Sequence, residues 1–354
     1  MVSLKINNTE CRAVEGTTIL HAANSAGYSI PVLCHKEGVP HYTSCMVCMV
    51  KDTVSGNFLP ACSSLVRDGL EIDTEGHDVI DIRRKSLELL LSEHRAECEA
   101  PCKIVCPAFY NIPLFNRYLS TGDFNNAKLL TALEKGKDEI HCIDCKAYCE
   151  NACRRRKIDQ QISIRNLKIF ISGLMSEEHI SLDAGISKTD ERKKFSSRTG
   201  KLEPSELVEW TKECKNITRR IRLVSDIESA ATEASACMHC DCRALNDCRL
   251  RDLSEEYLGK DPGSKIVNSP AVKKINHKTG LIFENAKCIK CGLCVRVCED
   301  SISEPSLCFI SRGFISIISE PLAIEFDEVL LSQSQKAVDV CPTGALTIDK
   351  DKIV

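Results

Sequence analysis

Residues 31–52, PVLCHKEGVPHYTSCMVCMVKD, place three cysteines close together, and FLPACS at 58–63 adds a fourth. The resulting spacing is C-x10-C-x2-C-x13-C, formed by Cys34, Cys45, Cys48 and Cys62. A close C-x2-C pair, with the other thiolates arriving from separate segments, suits a [2Fe–2S] cluster, whose usual ligands are cysteine thiolates. Structural zinc is the alternative, although zinc does not need four ligands spread over this length.

Further cysteine runs follow, for a total of 23 cysteines in 354 residues. The first ten residues, MVSLKINNTE, lack the apolar core of an export signal, so we expect a cytoplasmic protein with metal sites and no disulfides. No apolar stretch is long enough to cross a bilayer, which argues against direct membrane insertion. A net charge of −3, without a basic block interleaved with aromatics, argues against nucleic acid as a partner.

The glycines also limit the function. None of the 17 glycines forms a G-x-G pair, which the dinucleotide-binding fingerprint requires. We therefore expect no NAD(P) or FAD site of the usual kind on this chain. Nucleotide chemistry would take place on another polypeptide.

The N-terminal segment is predicted to be rich in strands. Val2–Ile6 and residues 11–14 flank Asn7 and Asn8 and suit a hairpin, and Thr17 or Thr18 can cap a helix that ends near Gly27. With GLEIDT at 69–74, these features and the cysteine spacing resemble the N-terminal [2Fe–2S] domain of the large iron–sulfur subunit of complex I and of iron-only hydrogenases. The resemblance implies a β-grasp ferredoxin domain over residues 1–77.

A second run begins after a helix predicted over residues 78–93. It is His94-x3-Cys98-x3-Cys102-x3-Cys106-Pro107, and it is followed by Cys142, Cys145, Cys149 and Cys153. Two short amphipathic helices, divided at Thr121-Gly122, are predicted between the two groups. His94-x3-Cys98 resembles the start of the cluster site in complex I that has one histidine and three cysteine ligands.

Residues 98–173 have a second resemblance, to the helical iron–sulfur domain of glutamate synthase small subunits and dihydropyrimidine dehydrogenase. Its matching segments are CPAFYNIPLFNRYLSTGDFNNA, CKAYCENACRRRKID and ISIRNLKIF. That family implies two [4Fe–4S] clusters, one on Cys98, Cys102 and Cys153, the other on Cys106, Cys145 and Cys149. The family's first cysteine is replaced by His94, which becomes the expected fourth ligand of the first cluster, with Cys142 that of the second. The alternatives are a histidine that only caps its helix, or a single cluster accompanied by zinc.

A third run, Cys237-x2-Cys240-x-Cys242-x5-Cys248, follows a helix predicted over residues 221–236. Four cysteines within so short a segment can close on one metal centre, either a [4Fe–4S] cluster or zinc, and His239 offers zinc a further ligand. Cys214 stands alone and is expected to be structural.

The C-terminal segment has a bacterial ferredoxin pattern. Residues 281–300, LIFENAKCIKCGLCVRVCED, contain C-x2-C-x2-C-x3-C, and Cys341-Pro342 lies in AVDVCPTGAL. In such ferredoxins the cysteine before proline serves the other run's cluster. The predicted ligands are Cys288, Cys291, Cys294 and Cys341. The second cluster is expected to be lost, because its other ligand positions hold Leu331, Ser334 and Ala337.

Cys298 is then expected to be free, unless it substitutes for Cys341, and Cys308 and Cys11 are expected to be buried small hydrophobes. FISRGFISII at 309–318 resembles an insert of the complex I subunit and iron-only hydrogenases.

The prediction is an α+β, multi-domain chain. It comprises the [2Fe–2S] domain (1–77), a helical iron–sulfur domain (78–175), a charged connecting segment (176–230), a short cysteine module (231–260) and a ferredoxin-like [4Fe–4S] domain (275–354). The expected cofactors are one [2Fe–2S] cluster and three or four [4Fe–4S] clusters, with zinc as the alternative at residues 237–248.

The predicted function is electron transfer between a separate flavoprotein NAD(P)H oxidoreductase subunit and another redox enzyme. Two alternatives remain: a chain with its own reductase activity, and a zinc-stapled docking scaffold or redox sensor with clusters only at its ends.

Overall fold

The computed structural model describes residues 1–40, 42–135, 142–175, 198, 204–212, 214, 223–259, 263, 271–299, 304–350 and 353. The chain divides into two compact units. The first comprises Met1–Ala96 and Asn246–Val354, and the second comprises Glu97–Lys193 and Ser197–Leu245. The second unit is therefore an insertion into the sequence of the first.

The N-terminal part of the first unit is a five-stranded sheet with the strand order β2-β1-β5-β3-β4. Its strands are β1 (Val2–Ile6), β2 (Thr9–Ala13), β3 (Met49–Asp52), β4 (Phe58–Pro60) and β5 (Leu70–Asp73). The predicted hairpin is confirmed: β1 and β2 pair antiparallel, and Asn7 and Asn8 between them have φ of 48° and 68°. Asparagine is among the residues that adopt this left-handed conformation most readily, so it suits the turn.

Helix α1 (Ile19–Ser25) covers one face of this sheet. Its N-cap is Thr18, whose hydroxyl accepts a hydrogen bond from the His21 N–H. Ile19, Leu20 and Ala23 pack with the inward-facing residues of β1 and β5 in one hydrophobic core. Helix α2 (His77–Glu93) follows the sheet, in agreement with the sequence, and the Arg83 guanidinium fastens it to β3 by donating to the Met49 carbonyl.

The C-terminal part of the first unit starts with helix α10 (Arg249–Leu258) and contains a second, smaller sheet. The elements after α10 are β6 (Lys273–Ile275), β7 (Leu281–Glu284), α11 (Leu293–Arg296), β8 (Cys308–Ile310), β9 (Ile317–Ser319), α12 (Ser334–Val340) and β10 (Leu346–Ile348). Strand β7 lies at the centre of the smaller sheet, between β10 and β6.

A buried asparagine closes the turn between β6 and β7. Asn276 donates to the carbonyls of Phe326 and Val329 and accepts from the N–H groups of Lys278 and Thr279. Gly280 completes the turn at φ +73°, where an added Cβ would lie 2.3 Å from the Asp349 carbonyl oxygen. Only glycine fits there without displacing backbone.

The second unit is helical in its described residues. Its helices are α3 (Pro101–Ile104), α4 (Ile112–Ser120), α5 (Phe124–Lys135), α6 (Tyr148–Asn151), α7 (Ile164–Met175), α8 (Pro204–Thr211) and α9 (Ile227–Ser235). The break predicted at Thr121-Gly122 is confirmed, since it separates α4 from α5. Helix α4 packs against α9, and Phe115, Leu119, Ala230 and Ala234 are buried between them.

Two sequence expectations for this unit need correction. The helix expected from residue 221 begins at Ile227, because the Asp226 carboxylate and the Ser229 side chain form a capping box that starts it there. The stretch expected to be a charged connecting segment contains α8, whose Trp210 side chain is buried. Most of that stretch, including DERKKFSSRTGK apart from Arg198, lies outside the described residues.

No helix in the described part of the chain combines the length and the apolar composition that a bilayer crossing needs.

Candidate metal centres

The four N-terminal cysteines form one buried group. Loops around β3 and β4 bring them together, and no thiol-bearing residue of the group is more than 5% exposed; its members are Cys34, Cys45, Cys48 and Cys62. The Cys34 sulfur is in hydrogen-bond contact with those of Cys45 and Cys62, and the Cys48 sulfur with that of Cys62. Four converging thiols are a soft donor set that fits the [2Fe–2S] cluster expected from the sequence.

Contacts between the thiols lower the pKa values of two of them and raise those of the other two. Hydrogen bonds from Cys45 and Cys62 lower the pKa of the Cys34 thiol, and a hydrogen bond from Cys62 lowers that of Cys48. The same contacts, together with burial, raise the pKa values of Cys45 and Cys62. Thiols this close compete for protons, and a bound metal would resolve the competition by deprotonating all four.

The C-terminal ferredoxin cysteines also converge. Cys294 lies within electrostatic range of Cys288, Cys291 and Cys341, and burial is the main reason that its pKa is raised. The Lys290 N–H donates to the Cys288 sulfur at 3.3 Å, and Lys290 itself is left-handed at φ 56°. These four residues are the predicted set, and their arrangement fits a [4Fe–4S] cluster.

Cys298, which is predicted to be free, lies within electrostatic range of Cys294. Cys298 is 1% exposed and packs in the hydrophobic core of this region with Leu307 and Val329, and burial raises its pKa. Ser334 and Ala337, at two former ligand positions, lie in α12. The expected absence of a second cluster stays a prediction.

Within the first unit the two four-cysteine groups are neighbours. Cys34 lies close enough to Cys291 to raise the pKa of that thiol, although burial contributes more. The Arg296 guanidinium links the two ligand loops, donating to the Pro40 carbonyl at 2.6 Å and to the Cys291 carbonyl at 2.7 Å. It also lies 4.9 Å from the centre of the Tyr42 ring. Sequence reasoning missed Arg296, because nothing in its spacing distinguishes it from a surface arginine.

One group of cysteines in the second unit surrounds a small cavity beside α6 and α7. Its cysteines are Cys106, Cys142, Cys145 and Cys149. Burial raises the pKa of Cys149 to about 12, while Lys168 at the rim of the cavity lowers it. This group matches the set expected for the second cluster of the helical domain, and its role as a metal site stays a prediction.

A second group in this unit has a composition that the sequence did not suggest. Cys102 lies within electrostatic range of Cys153, Cys237 and Cys240. From the sequence, Cys102 and Cys153 are expected in one cluster with Cys98 and His94. Cys237 and Cys240 are expected in a closed site with Cys242 and Cys248. The pattern of spacings could not reveal this arrangement, because more than eighty residues separate Cys153 from Cys237.

Four further predicted ligands are placed as follows. Cys98 and Cys242 belong to the second unit, where the Cys242 N–H donates to the Cys98 carbonyl at 2.9 Å. His94 and Cys248 belong to the first unit. The His94 Nδ1 accepts from the Ala96 N–H at 2.8 Å, and the Cys248 thiol lies 3.9 Å from the Pro342 carbonyl oxygen. Their metal ligation stays a prediction.

The remaining cysteines have other surroundings. The Cys214 thiol contacts the carbonyl oxygens of Ala236 and Cys237 at 3.5 and 3.4 Å, which suits a structural role. Cys11 and Cys308, expected to be buried, are only half-buried on their strands.

Comparisons with known proteins match the two ends of the chain. Residues 1–77 match the family model of the 2Fe-2S iron-sulfur cluster binding domain. Residues 281–347 match the ferredoxin-like domain of NADH-quinone oxidoreductase subunit 3. The resemblances expected from the sequence for the two ends are thereby confirmed.

Curated relatives each align with about a quarter of this chain. The NADPH-Fe(3+) oxidoreductase subunit alpha of Geobacter sulfurreducens is 36% identical over 98 residues, which are 28% of this chain and 12% of that protein. The NADP-reducing hydrogenase subunit HndD of Solidesulfovibrio fructosivorans is 35% identical over 103 residues, 28% of this chain and 18% of that protein. The NAD-reducing hydrogenase HoxS subunit gamma of Cupriavidus necator is 31% identical over 97 residues, 27% of this chain and 41% of that protein.

A solved structure extends the similarity of fold. A chain of an NAD+-reducing [NiFe]-hydrogenase in its H2-reduced state aligns with 98% of this chain and with 87% of its own length, at a TM-score of 0.51 and 15% identity. The aligned curated segments cover less than half of each relative above. Residues 1–77 thus match a 2Fe-2S cluster binding domain and residues 281–347 a ferredoxin-like domain, and the relatives of the chain include subunits named for oxidoreductases and hydrogenases.

Proposed function

We propose that this chain is a multi-cluster iron–sulfur electron-transfer subunit. It carries electrons between a separate flavin-dependent NAD(P)H oxidoreductase and another redox enzyme. The observation that carries this proposal is the proximity of Cys34 and Cys291, each in a group of four converging cysteines. Iron–sulfur clusters supply one-electron redox chemistry when bound, with potentials set by hydrogen bonds, charge and burial.

The residues around the two groups suit conduction. Six of the eight cysteines are buried and the other two, Cys288 and Cys341, are half-buried, which limits the access of water and lowers the local dielectric. The Arg296 guanidinium holds the two ligand loops together and places a positive charge near both. A zinc-stapled scaffold would not need two such groups to be neighbours.

The proposed partners follow from the sequence and from the names of the relatives. The sequence lacks the closely spaced glycines of a dinucleotide-binding loop, so the nucleotide reaction belongs to another chain. Two of the relatives are named for reactions of NADP or NADPH and one for NAD. A flavoprotein that oxidises or reduces a pyridine nucleotide is therefore the partner we propose.

The proposed cofactor content is one [2Fe–2S] cluster and three or four [4Fe–4S] clusters. Protein purified without oxygen is expected to contain about 14 or about 18 irons per chain, with matching acid-labile sulfide. A content of about 6 irons with two or more zincs would confine redox chemistry to the ends and favour the scaffold.

The functional test is reconstitution. The loaded chain, mixed with the flavoprotein that co-purifies with it, is expected to be bleached by NADH or NADPH and to reoxidise when an acceptor enzyme is added. Without the flavoprotein, neither nucleotide should reduce it. If no co-purifying oxidoreductase exchanges electrons with the chain, the proposal fails.

A further inference from the structure

We propose that Cys102, Cys153, Cys237 and Cys240 ligate one [4Fe–4S] cluster in the second unit, with the C-x2-C pair supplied from the segment that follows α9. This inference rests on the proposed function, since it assumes that the chain binds clusters. It assigns a ligand set that neither the cysteine spacing nor the resemblance of the helical domain implies.

Packing brings the four residues together. Cys102, Cys153 and Cys237 border the same hydrophobic core, which Phe115 of α4 and Ala234 of α9 help to form. Cys240 borders the adjoining cluster around Trp210 and Met238. Each of the four cysteines lies within electrostatic range of the other three. The four thiols therefore converge as one donor set, in which Cys237 is buried and the other three are half-buried.

The loop of Cys237 and Cys240 has the conformation of a ferredoxin ligand loop. In the Cys237–Cys240 pair, as in the Cys288–Cys291 pair, the residue before the second cysteine is left-handed: His239 has φ 45° and Lys290 has φ 56°. The N–H of that residue is directed at the sulfur of the first cysteine in each case, Cys237 or Cys288. Residues other than glycine rarely adopt this conformation, so its occurrence at matching positions of the two loops indicates a shared requirement.

A buried amide next to the group lacks a conventional partner. The Asn116 side chain is fully buried, and among the described residues neither its nitrogen nor its oxygen has a hydrogen-bond partner of normal geometry. The amide lies against the Cys237 thiol. Burying an amide without a partner is unfavourable, and a thiolate or sulfide of a cluster would accept a hydrogen bond from its NH2 group.

Charge at the site also suits a cluster. Four thiolates around a [4Fe–4S] core carry net negative charge, which a buried site must offset. The Arg154 guanidinium, 7% exposed, lies within electrostatic range of Cys240, as does the Asp241 carboxylate. Arg154 is held in place by Glu97 at 2.9 Å and by the Trp210 ring, whose centre is 5.6 Å away.

The deciding experiment counts iron in paired variants of the full chain, purified without oxygen. The first variant combines Cys237→Ala with Cys240→Ala, the second combines Cys102→Ala with Cys153→Ala, and the third carries all four changes. Each is expected to lose about four irons and four sulfides, and the third should lose no more than either pair alone. Cys214→Ser is the matched control, because its hydroxyl can keep the contacts to backbone carbonyls, and it should lose none.

Other results would overturn the assignment. A loss of about eight irons in the combined variant would place the two pairs in different clusters. Loss of one zinc and no iron would make the site a zinc site. The reconstitution assay monitors the proposed function independently: the wild type still exchanges electrons with its flavoprotein if only the present assignment is wrong, and exchanges none if the proposed function is wrong.

A milder variant tests the site without removing a ligand. Asn116→Leu keeps the side-chain volume and removes the amide donor. It should keep the full iron content but lower the reduction potential of one [4Fe–4S] cluster, because the reduced cluster loses a hydrogen bond. An unchanged potential for every cluster, with circular dichroism like that of the wild type, would contradict the placement of the cluster beside Cys237.

Discussion

Cys34 and Cys291 lie within electrostatic range of each other, although one belongs to the first cysteine group of the chain and the other to the last. Arg296 is the residue that joins their loops, through the carbonyls of Pro40 and Cys291. The pair defines the place where an electron could pass between the two ends of the sequence.

Replacement of Arg296 should weaken communication between the terminal clusters. In fully reduced wild type we expect the EPR spectra of the [2Fe–2S] and [4Fe–4S] clusters to be broadened by spin coupling. Arg296→Gln should narrow both signals while the iron content stays the same, because the loops lose the guanidinium that bridges them. Arg312→Gln, an exposed arginine of the same unit, is the control and should leave the broadening unchanged. Equal broadening in both variants would show that Arg296 does not set the separation.

The N-terminal cysteines can be separated by function. Cys45→Ala should lose about two irons and the [2Fe–2S] EPR signal, because it removes one of four converging thiols. Cys11→Ala removes a half-buried thiol that lies 3.5 Å from the Thr9 carbonyl oxygen, outside the group of four, and should keep both. Retention of the signal in Cys45→Ala would exclude this residue from the ligand set.

The ferredoxin region gives an equivalent contrast. Cys341→Ala should lose about four irons, whereas Cys298→Ala should keep them. Because Cys298 is buried among apolar side chains, its replacement leaves a small cavity and should lower the free energy of unfolding by about 1 kcal/mol. Iron analysis and denaturant unfolding under nitrogen measure the two effects. Loss of iron in Cys298→Ala alone would mean that this thiol, and not Cys341, is the ligand.

Asn276 is expected to be important for the stability of the C-terminal region. Asn276→Ala removes four hydrogen bonds from a fully buried position and leaves the carbonyls of Phe326 and Val329 without this donor. The free energy of unfolding should fall by about 3 kcal/mol. Lys278→Ala, which removes an exposed ion pair with Glu328, should change it by no more than about 0.5 kcal/mol. Similar values for the two variants would contradict this view of the turn.

Local structure was predictable where one residue decides it. Asn7-Asn8 specified the first hairpin, Thr18 the start of α1, and Thr121-Gly122 the break before α5, because turn and cap preferences depend on a few neighbouring residues. The start of α9 was misplaced because the composition of residues 221–226 favours a helix, while the capping box at Asp226 is a stronger and more specific signal. Helix α8 was missed because it is short and lies in a polar stretch.

The grouping of the central cysteines depends on tertiary packing, which spacing does not encode. The spacing predicts that Cys237 and Cys240 form one closed metal site with Cys242 and Cys248, because these two cysteines follow so closely. One signal could have corrected this prediction: His94 stands where the resemblance of the helical region leads us to expect a first cysteine, and a C-x2-C pair is available further along the chain. The terminal groups were easier, because each of their loops matches a pattern that occurs as a unit in other proteins.

The insertion of the second unit affects the order in which the protein can be made. Several hydrogen bonds of the first unit join residues on opposite sides of the insertion. Among them, the Arg95 N–H donates to the Ala286 carbonyl and the Arg249 guanidinium donates to the Val32 carbonyl. On the ribosome these bonds cannot form until the whole insertion has emerged. The sheet of β1–β5 must therefore hold its own loops together in the meantime, and the Arg296 bridge between the two terminal groups forms late in biogenesis.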